Sequence, residues 1–161
     1  MYEWGWSKQL EELTAKLLSP YYLRIFPDML TFYSHQKEKY PYDKDIYLKD
    51  GTIYRIEEKV NSKKHINTGN IVFEEISNVE AQHMGWIYYS QADFMVTTWS
   101  DGYILYKGIY VYWMQPMLDW YKRNRAKYRH VIIDGGLYKT KMSLVPIEDL
   151  DPFLYTEINI Y

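Results

Sequence analysis

The chain contains no cysteine. That absence excludes disulfide scaffolds, thiolate zinc sites, iron–sulfur clusters and cysteine nucleophiles, and a reducing, cytoplasmic compartment is the setting expected. Long apolar runs are missing as well. The longest stretches free of charge, Ala81–Ala92 and Gly108–Leu118, fall short of the roughly 20 residues that a membrane-spanning helix needs, so no membrane partner is expected. The N-terminus has neither the basic start nor the apolar run of a signal peptide. Neither a Walker motif nor G-x-G-x-x-G occurs, so nucleotide cradles built on glycine are not expected. Among the four histidines, His35, His65, His83 and His130, no two stand at metal-ligand spacing. Charge of one sign is not in excess either: 19 basic residues against 21 acidic ones leave a net charge of −2, so any attraction for nucleic acid must be local.

What is present is a folding composition, with 47% hydrophobic and 25% charged residues, and the length of 161 residues suits one domain, 1–161. Nineteen tyrosines and six tryptophans are the one excess. They are either stacking surfaces for sugars or bases, or bulky strand formers. Trp6, Leu10, Leu13 and Leu17 recur at helical spacing, which predicts an amphipathic helix over Trp6–Leu18 with Ser7 as its cap and Ser19-Pro20 as its stop. Tyr21–Tyr42 reads as an irregular connection. Strands are predicted at Asp45–Leu48 and Thr52–Val60 around a Lys49-Asp50-Gly51 turn, then at Asn70–Ile76, Phe94–Trp99 and Tyr103–Tyr106. A second helix is expected over Met117–Lys127, and further strands at Val131–Ile133 and Leu137–Val145. The order predicts an α/β (α+β) fold, a mixed sheet flanked by helices, with an N-terminal helix followed by three strands.

Alternation along Thr52–Val60 sends Glu57 and Lys59 to one face and Ile56, Glu58 and Val60 to the other. Asp45 opens the preceding strand, and the hairpin can bring it alongside Glu57. Two carboxylates and an ammonium are the groups that phosphodiester hydrolysis requires: acids to hold a hard divalent cation such as Mg²⁺, and a cation to orient the attacking water. The competing reading is a surface ion pair beside an acid that merely begins a strand.

The stretch Asp45-Ile-Tyr-Leu-Lys-Asp-Gly-Thr-Ile-Tyr-Arg-Ile-Glu57-Glu-Lys59 resembles the catalytic core of the PD-(D/E)xK, or restriction-endonuclease-like, nuclease superfamily. Thr68–Glu74 and Ser90-Gln91-Ala92-Asp93-Phe94 resemble the third strand and the T/S-x-A-D segment of its small phage or resolvase-like members. The resemblance implies a restriction-endonuclease-like core in the cytoplasm of a phage-infected or other host cell, and a Mg²⁺-dependent deoxyribonuclease, with Mn²⁺ as substitute and DNA as partner. Its catalytic residues would be Asp45, Glu57 and Lys59, and its metal ligands Asp45, Glu57, Glu11 and Glu74. Glu12 is the alternative to Glu11 and Glu75 the alternative to Glu74. Asp43, in Pro41-Tyr42-Asp43, rivals Asp45, because Lys44 stands where the signature expects proline. Cutting a junction would require two active sites and hence a homodimer.

Lys122, Arg123, Arg125, Lys127, Arg129, Lys139 and Lys141 form a basic stretch whose only acid is Asp134, with Trp120, Tyr121 and Tyr128 interleaved. Arg123, Arg125 and Lys127, together with Lys63 and Lys64 after the catalytic strand, are the expected phosphate contacts. Two rival functions remain at this stage. One is a catalytically inactive nucleic-acid-binding or assembly module on the same fold. The other is an aromatic-rich carbohydrate-binding domain, which would expose a row of Tyr and Trp and lack a metal cluster.

Overall fold

The computed structural model describes residues 4–35 and 40–160. It opens with α1 (Trp4–Leu18), a 3-10 turn at Ser19–Tyr21, α2 (Tyr22–Ile25), β1 (Met29–Ser34), β2 (Lys44–Leu48) and β3 (Ile53–Ser62). A 3-10 segment, Lys63–Thr68, leads into β4 (Asn70–Asn78), β5 (His83–Met84), α3 (Trp86–Tyr89), β6 (Phe94–Ser100), β7 (Leu105–Trp113) and α4 (Met114–Asn124). The chain closes with β8 (Arg129–Asp134), β9 (Lys139–Pro146), a 3-10 segment at Ile147–Phe153 and β10 (Leu154–Asn159). Among these residues no helix is long and apolar enough to cross a membrane.

Two sheets organise the fold. The larger has the order β1-β2-β3-β6-β7-β10. Its first three strands form an antiparallel meander, β6 joins β3 in parallel, and β7 and β10 continue antiparallel. The smaller is antiparallel, in the order β5-β4-β9-β8. The fold is therefore mixed α/β, with a mixed sheet flanked by helices, as the element order predicts.

Alternation along β6 shows how the sheet acquires two cores. Phe94 and Val96 join Ile46, Ile56, Ile109 and Val111 beneath Leu18, Tyr22, Ile25 and Phe26 of the N-terminal helices. Met95 and Trp99 join Tyr112 on the other face, against Ile71, Phe73 and Val145 of the smaller sheet and Trp86, Met117 and Tyr121 of α3 and α4. Removing both faces from water is what holds the central strands in place.

Several elements differ from the sequence expectation. α1 starts at Trp4, so Ser7 lies inside the helix and is not its cap. The segment expected to be irregular contains β1, and this strand, not Asn70–Ile76, is the third member of the meander. Asn70–Ile76 forms β4 of the smaller sheet. β7 runs to Trp113 and α4 begins at Met114, so Pro116 falls in the first helical turn, where its missing N–H costs nothing. β10 has no counterpart in the sequence reading.

On the α1/α2 face of β3, the Glu58 carboxylate is buried and forms an ion pair with Lys44. The Tyr22 hydroxyl also donates to it, at 2.6 Å. Lys44 lies over the rings of Tyr22 and Phe32. Burial and the Glu58 charge hold the Tyr22 phenol well above its ordinary range. Breaking a buried pair by removing one partner costs about 3–5 kcal/mol, because the other charge stays behind uncompensated. Lys44→Met should therefore lower unfolding stability in urea by that amount. Lys44→Met combined with Glu58→Gln, which keeps an acceptor for Tyr22, should recover most of the loss; additive losses would show that the two charges do not depend on each other.

Candidate active site

The β2/β3 hairpin turns through Lys49-Asp50-Gly51, with Gly51 at φ +90°, a left-handed conformation in which glycine is unstrained. Leu48 N donates to Thr52 O at 2.9 Å and Thr52 N donates to the Asp50 side chain at 2.9 Å. This loop sets the register. Asp45 pairs with Arg55 and Lys44 with Ile56. One further step places Asp43 opposite Glu57. Two hydrogen bonds fix that step: Asp43 N to Ile56 O at 2.8 Å, and Glu58 N to Asp43 Oδ2 at 2.6 Å.

Three charged groups come together here. Lys59 Nζ stands 2.7 Å from Glu57 Oε1. Glu57 and Asp43 are both buried, and Lys59 lies over the indole of Trp86 on α3, 5.0 Å from the ring centroid. The backbone of Lys59 is held in turn: the Thr97 hydroxyl donates to its carbonyl at 2.7 Å, and Asn61 Nδ2 donates to the Thr97 hydroxyl oxygen at 2.9 Å. Burial alone would pull the Lys59 pKa down, but Glu57, Asp43 and Glu11 on α1 together raise it above the ordinary lysine value. The ammonium thus stays charged at neutral pH.

The register sets Asp45, the acid that the resemblance implies, opposite Arg55 and not opposite Glu57. Asp45 lies two residues along β2 from Asp43, and its carboxylate takes His35 Nε2 at 2.7 Å. Its cross-strand neighbour Arg55 forks onto Asp93, with Nε to Oδ2 at 3.3 Å and Nη2 to Oδ1 at 3.4 Å. Asp43 is the acid that the register brings to Glu57. Glu11 is the α1 carboxylate that acts on Lys59, and Glu11 and Glu12 are both exposed. Glu74 stands on β4 of the smaller sheet, opposite Met142, and not on the sheet that carries Glu57.

Glu75 has a different task. It is 1% exposed and accepts from Arg125 through both oxygens at 2.8 and 2.7 Å, from Tyr121 at 2.8 Å, and pairs with His130 at 3.1 Å and Lys141 at 3.6 Å. Arg125, just past the end of α4, is thus tied to an acid of the smaller sheet. Arg123, Lys127 and Lys64 are exposed. Lys63 lies over the Tyr106 ring at 4.6 Å.

Among the described residues no group of three or more His, Asp or Glu side chains is arranged to hold a metal ion. Asp43 and Glu57 nevertheless fit Mg²⁺ in donor chemistry, because that ion commonly takes one or two carboxylates and completes its shell with waters and substrate phosphate. The sequence reading missed Trp86, His35 and the Arg55–Asp93 fork. It weighed Asp43 and set it second. The signal for Asp43 was available: counted outward from Leu48 opposite Thr52, equal steps reach Asp43 and Glu57 together.

The Glu75 cluster generates a pH prediction. Burial would raise the carboxyl pKa, but hydrogen bonds from Arg125, Tyr121 and His130 bring it down to about 2 from an ordinary 4.5. A depressed folded-state value gives stability that is present above the unfolded pKa and lost as pH falls through the folded one. The contribution, about 3 kcal/mol at neutral pH, should disappear between pH 4.5 and 2. Glu75→Gln should flatten that limb of the urea-stability profile; an unchanged slope would place the acid dependence elsewhere.

Comparison of the chain with protein-family models, with curated proteins and with solved structures gives no match.

Proposed function

We propose that this chain is a metal-dependent deoxyribonuclease of the restriction-endonuclease-like type, cutting phosphodiester bonds at Asp43, Glu57 and Lys59. The observation that carries the reading is the β2/β3 register, which sets a buried aspartate opposite the Glu57-x-Lys59 strand. The order of elements supports it too: a helix, a three-stranded meander with the acid just ahead of its second strand and Glu-x-Lys on its third, then a parallel strand opening at Asp93.

Bound Mg²⁺ or Mn²⁺ would act as a Lewis acid on the phosphate oxygens and ease deprotonation of water. Asp43 and Glu57 would hold it, with Glu11 within electrostatic range. The residues' own contribution is orientation and charge. Lys59, kept protonated, donates a hydrogen bond to the attacking water or to the phosphate oxygen that gains charge. Water gives up a proton to solvent as its oxygen forms the new bond to phosphorus, the bond to the leaving sugar oxygen breaks, and that oxygen takes up a proton from solvent. Trp86 covers the ammonium and limits the solvent that competes for it. Arg123, Lys127, Lys63 and Lys64 remain the candidate phosphate contacts, and a homodimer is required only if the substrate is a junction.

The closed Lys59–Glu57 contact favours a second reading, an inactive DNA-binding module in which the pair merely neutralises itself. A panel of branched, duplex and single-stranded DNAs with Mg²⁺ or Mn²⁺ separates the two. Cleavage by the native chain is expected, and its absence on every member would support the inactive module. Lys59→Met should retain DNA and Mn²⁺ binding while losing about two to three orders of magnitude in cleavage, the range for removing one preorganised hydrogen-bond donor. Asp43→Asn should abolish Mn²⁺ binding by calorimetry and Asp45→Asn should not; the reverse result would return the metal to Asp45.

Among the cations, Arg123→Ala and Lys127→Ala should each flatten the salt dependence of duplex binding by roughly 0.9 log unit per lost contact. Arg125→Ala should chiefly lower stability. Salt slopes of Arg123→Ala and Lys127→Ala unchanged from that of the native chain would remove both cations from the interface.

A further inference from the structure

The face of the larger sheet that carries Glu57 and Lys59 continues past them toward β1. Tyr33, Asp45 and Arg55 are aligned across β1, β2 and β3, so their side chains leave the same face as Glu57, two residues further along β3. On the β6/β7 side this face is covered by the smaller sheet and α4. On the β1/β2 side it lies open: Tyr33 is 59% exposed, Ile53 49% and Tyr40 44%.

The open part is lined with rings. Tyr33 meets Tyr47 edge-on at 5.5 Å between centroids. Tyr40 stacks on His35 at 4.0 Å, and His35 meets Tyr42 edge-on at 5.4 Å. Arg55 lies over the Tyr42 ring at 6.0 Å. The polar groups between the rings are already paired, Asp45 with His35 and Arg55 with Asp93. That pairing fixes the His35 ring beside Tyr40 and Tyr42. Strand spacing puts Tyr33 about 12 Å from Glu57, two strands across and two residues along.

We propose that this shelf of Tyr33, Tyr47, Tyr40 and His35 is a stacking platform for unpaired bases, so that the nucleic acid presented to Asp43, Glu57 and Lys59 is single-stranded on the β1 side of the cut. The proposal rests on the nuclease reading for the position of the cut, while base binding stands independently of it. Aromatic faces accept any base, since every base has a π-face, and each such stack is worth about 1–3 kcal/mol. A duplex offers no free base faces along its length. The shelf is also continuous with the acid–lysine cluster, as a strand threading from one to the other requires. A carbohydrate could use the same rings, and it is set against the nucleic acid in the test.

The test is fluorescence anisotropy of the full chain with labelled oligothymidine and with a blunt duplex of equal length, in EDTA so that nothing is cut. Oligothymidine should bind. Tyr33→Ala and Tyr47→Ala should each weaken it by roughly 5- to 150-fold, the equivalent of one lost stack, and leave the blunt duplex within a factor of about two. Tyr33→Phe should retain affinity. Tyr103→Ala, which removes an exposed tyrosine on the β6–β7 turn, should change nothing. Equal affinity of the Tyr→Ala variants for oligothymidine overturns the proposal, and so does an equal loss on the blunt duplex. Binding of soluble cello- or chito-oligosaccharides with no binding of oligothymidine overturns it in favour of a sugar. Tyrosine-dependent oligothymidine binding by a chain that cuts no DNA would defeat the nuclease reading and leave the platform standing. Cleavage of duplex with no tyrosine effect would do the opposite.

Discussion

A single carboxylate oxygen fixes the geometry of the candidate site. Asp43 Oδ2 accepts the Glu58 N–H at 2.6 Å, so an acid that stands outside β2 is tied to the backbone of β3 at the point where Glu57 and Lys59 diverge from Glu58. Such a bond to an ionised acceptor is stronger than a neutral one and tolerates little displacement. Around it, Asp43 N donates to Ile56 O, His35 N to Asp43 O and Gln91 N to Pro41 O, and these bonds hold the chain ahead of β2 against its neighbours without aiming the Asp43 carboxylate. Were the Oδ2 bond lost, the acid would keep its place in sequence but its carboxylate would lose its place beside Glu57.

Glu57-Glu58-Lys59 puts three consecutive charges into the middle of a sheet, an arrangement tolerated only because each charge meets an opposite one. The strand's alternation splits them. Glu58 goes to Lys44 under the N-terminal helices, and Glu57 goes to Lys59 on the other side. The two pairs differ in surroundings. The Glu58 pair is capped by Tyr22 within the apolar core, whereas Lys59 is 19% exposed, lies over Trp86 and is held charged by the added pull of Asp43 and Glu11. A pair sealed on both sides serves the fold; a pair whose carboxylate is equally buried but whose ammonium keeps 19% of its surface exposed has the geometry that chemistry would need.

Much of this was legible in the sequence. The Asp50-Gly51 turn, the Glu57/Glu58 alternation and the helix-led mixed fold all follow from local pattern. Local pattern favours Asp45 over Asp43 because the apolar run follows it directly, whereas the register, which no local pattern spells out, puts Asp43 opposite Glu57. β1 escaped detection because its strand formers, Thr31, Phe32 and Tyr33, sit between prolines and a charged run, and only pairing with β2 makes them a strand. Glu75 and Arg125 lie fifty positions apart, and no local pattern announces that one will neutralise the other. Basic residues counted along the chain looked like a phosphate-binding stretch, while the folded protein had already assigned Arg125 to an internal acid.

The link from β3 to its parallel neighbour β6 is not a plain crossover. It contains β4, β5 and α3, and β4 is paired with β9, which the chain reaches only after β7 and α4 are made. The smaller sheet thus cannot form before most of the chain is available, and α3, which places Trp86 over Lys59, packs on β4. Contacts so distant in sequence are slow to form, because loop-closure entropy must be met before they reward it. During synthesis the acid–lysine strand would emerge and pair with β2 well before its indole cover could settle, which makes completion of the site one of the last events of folding.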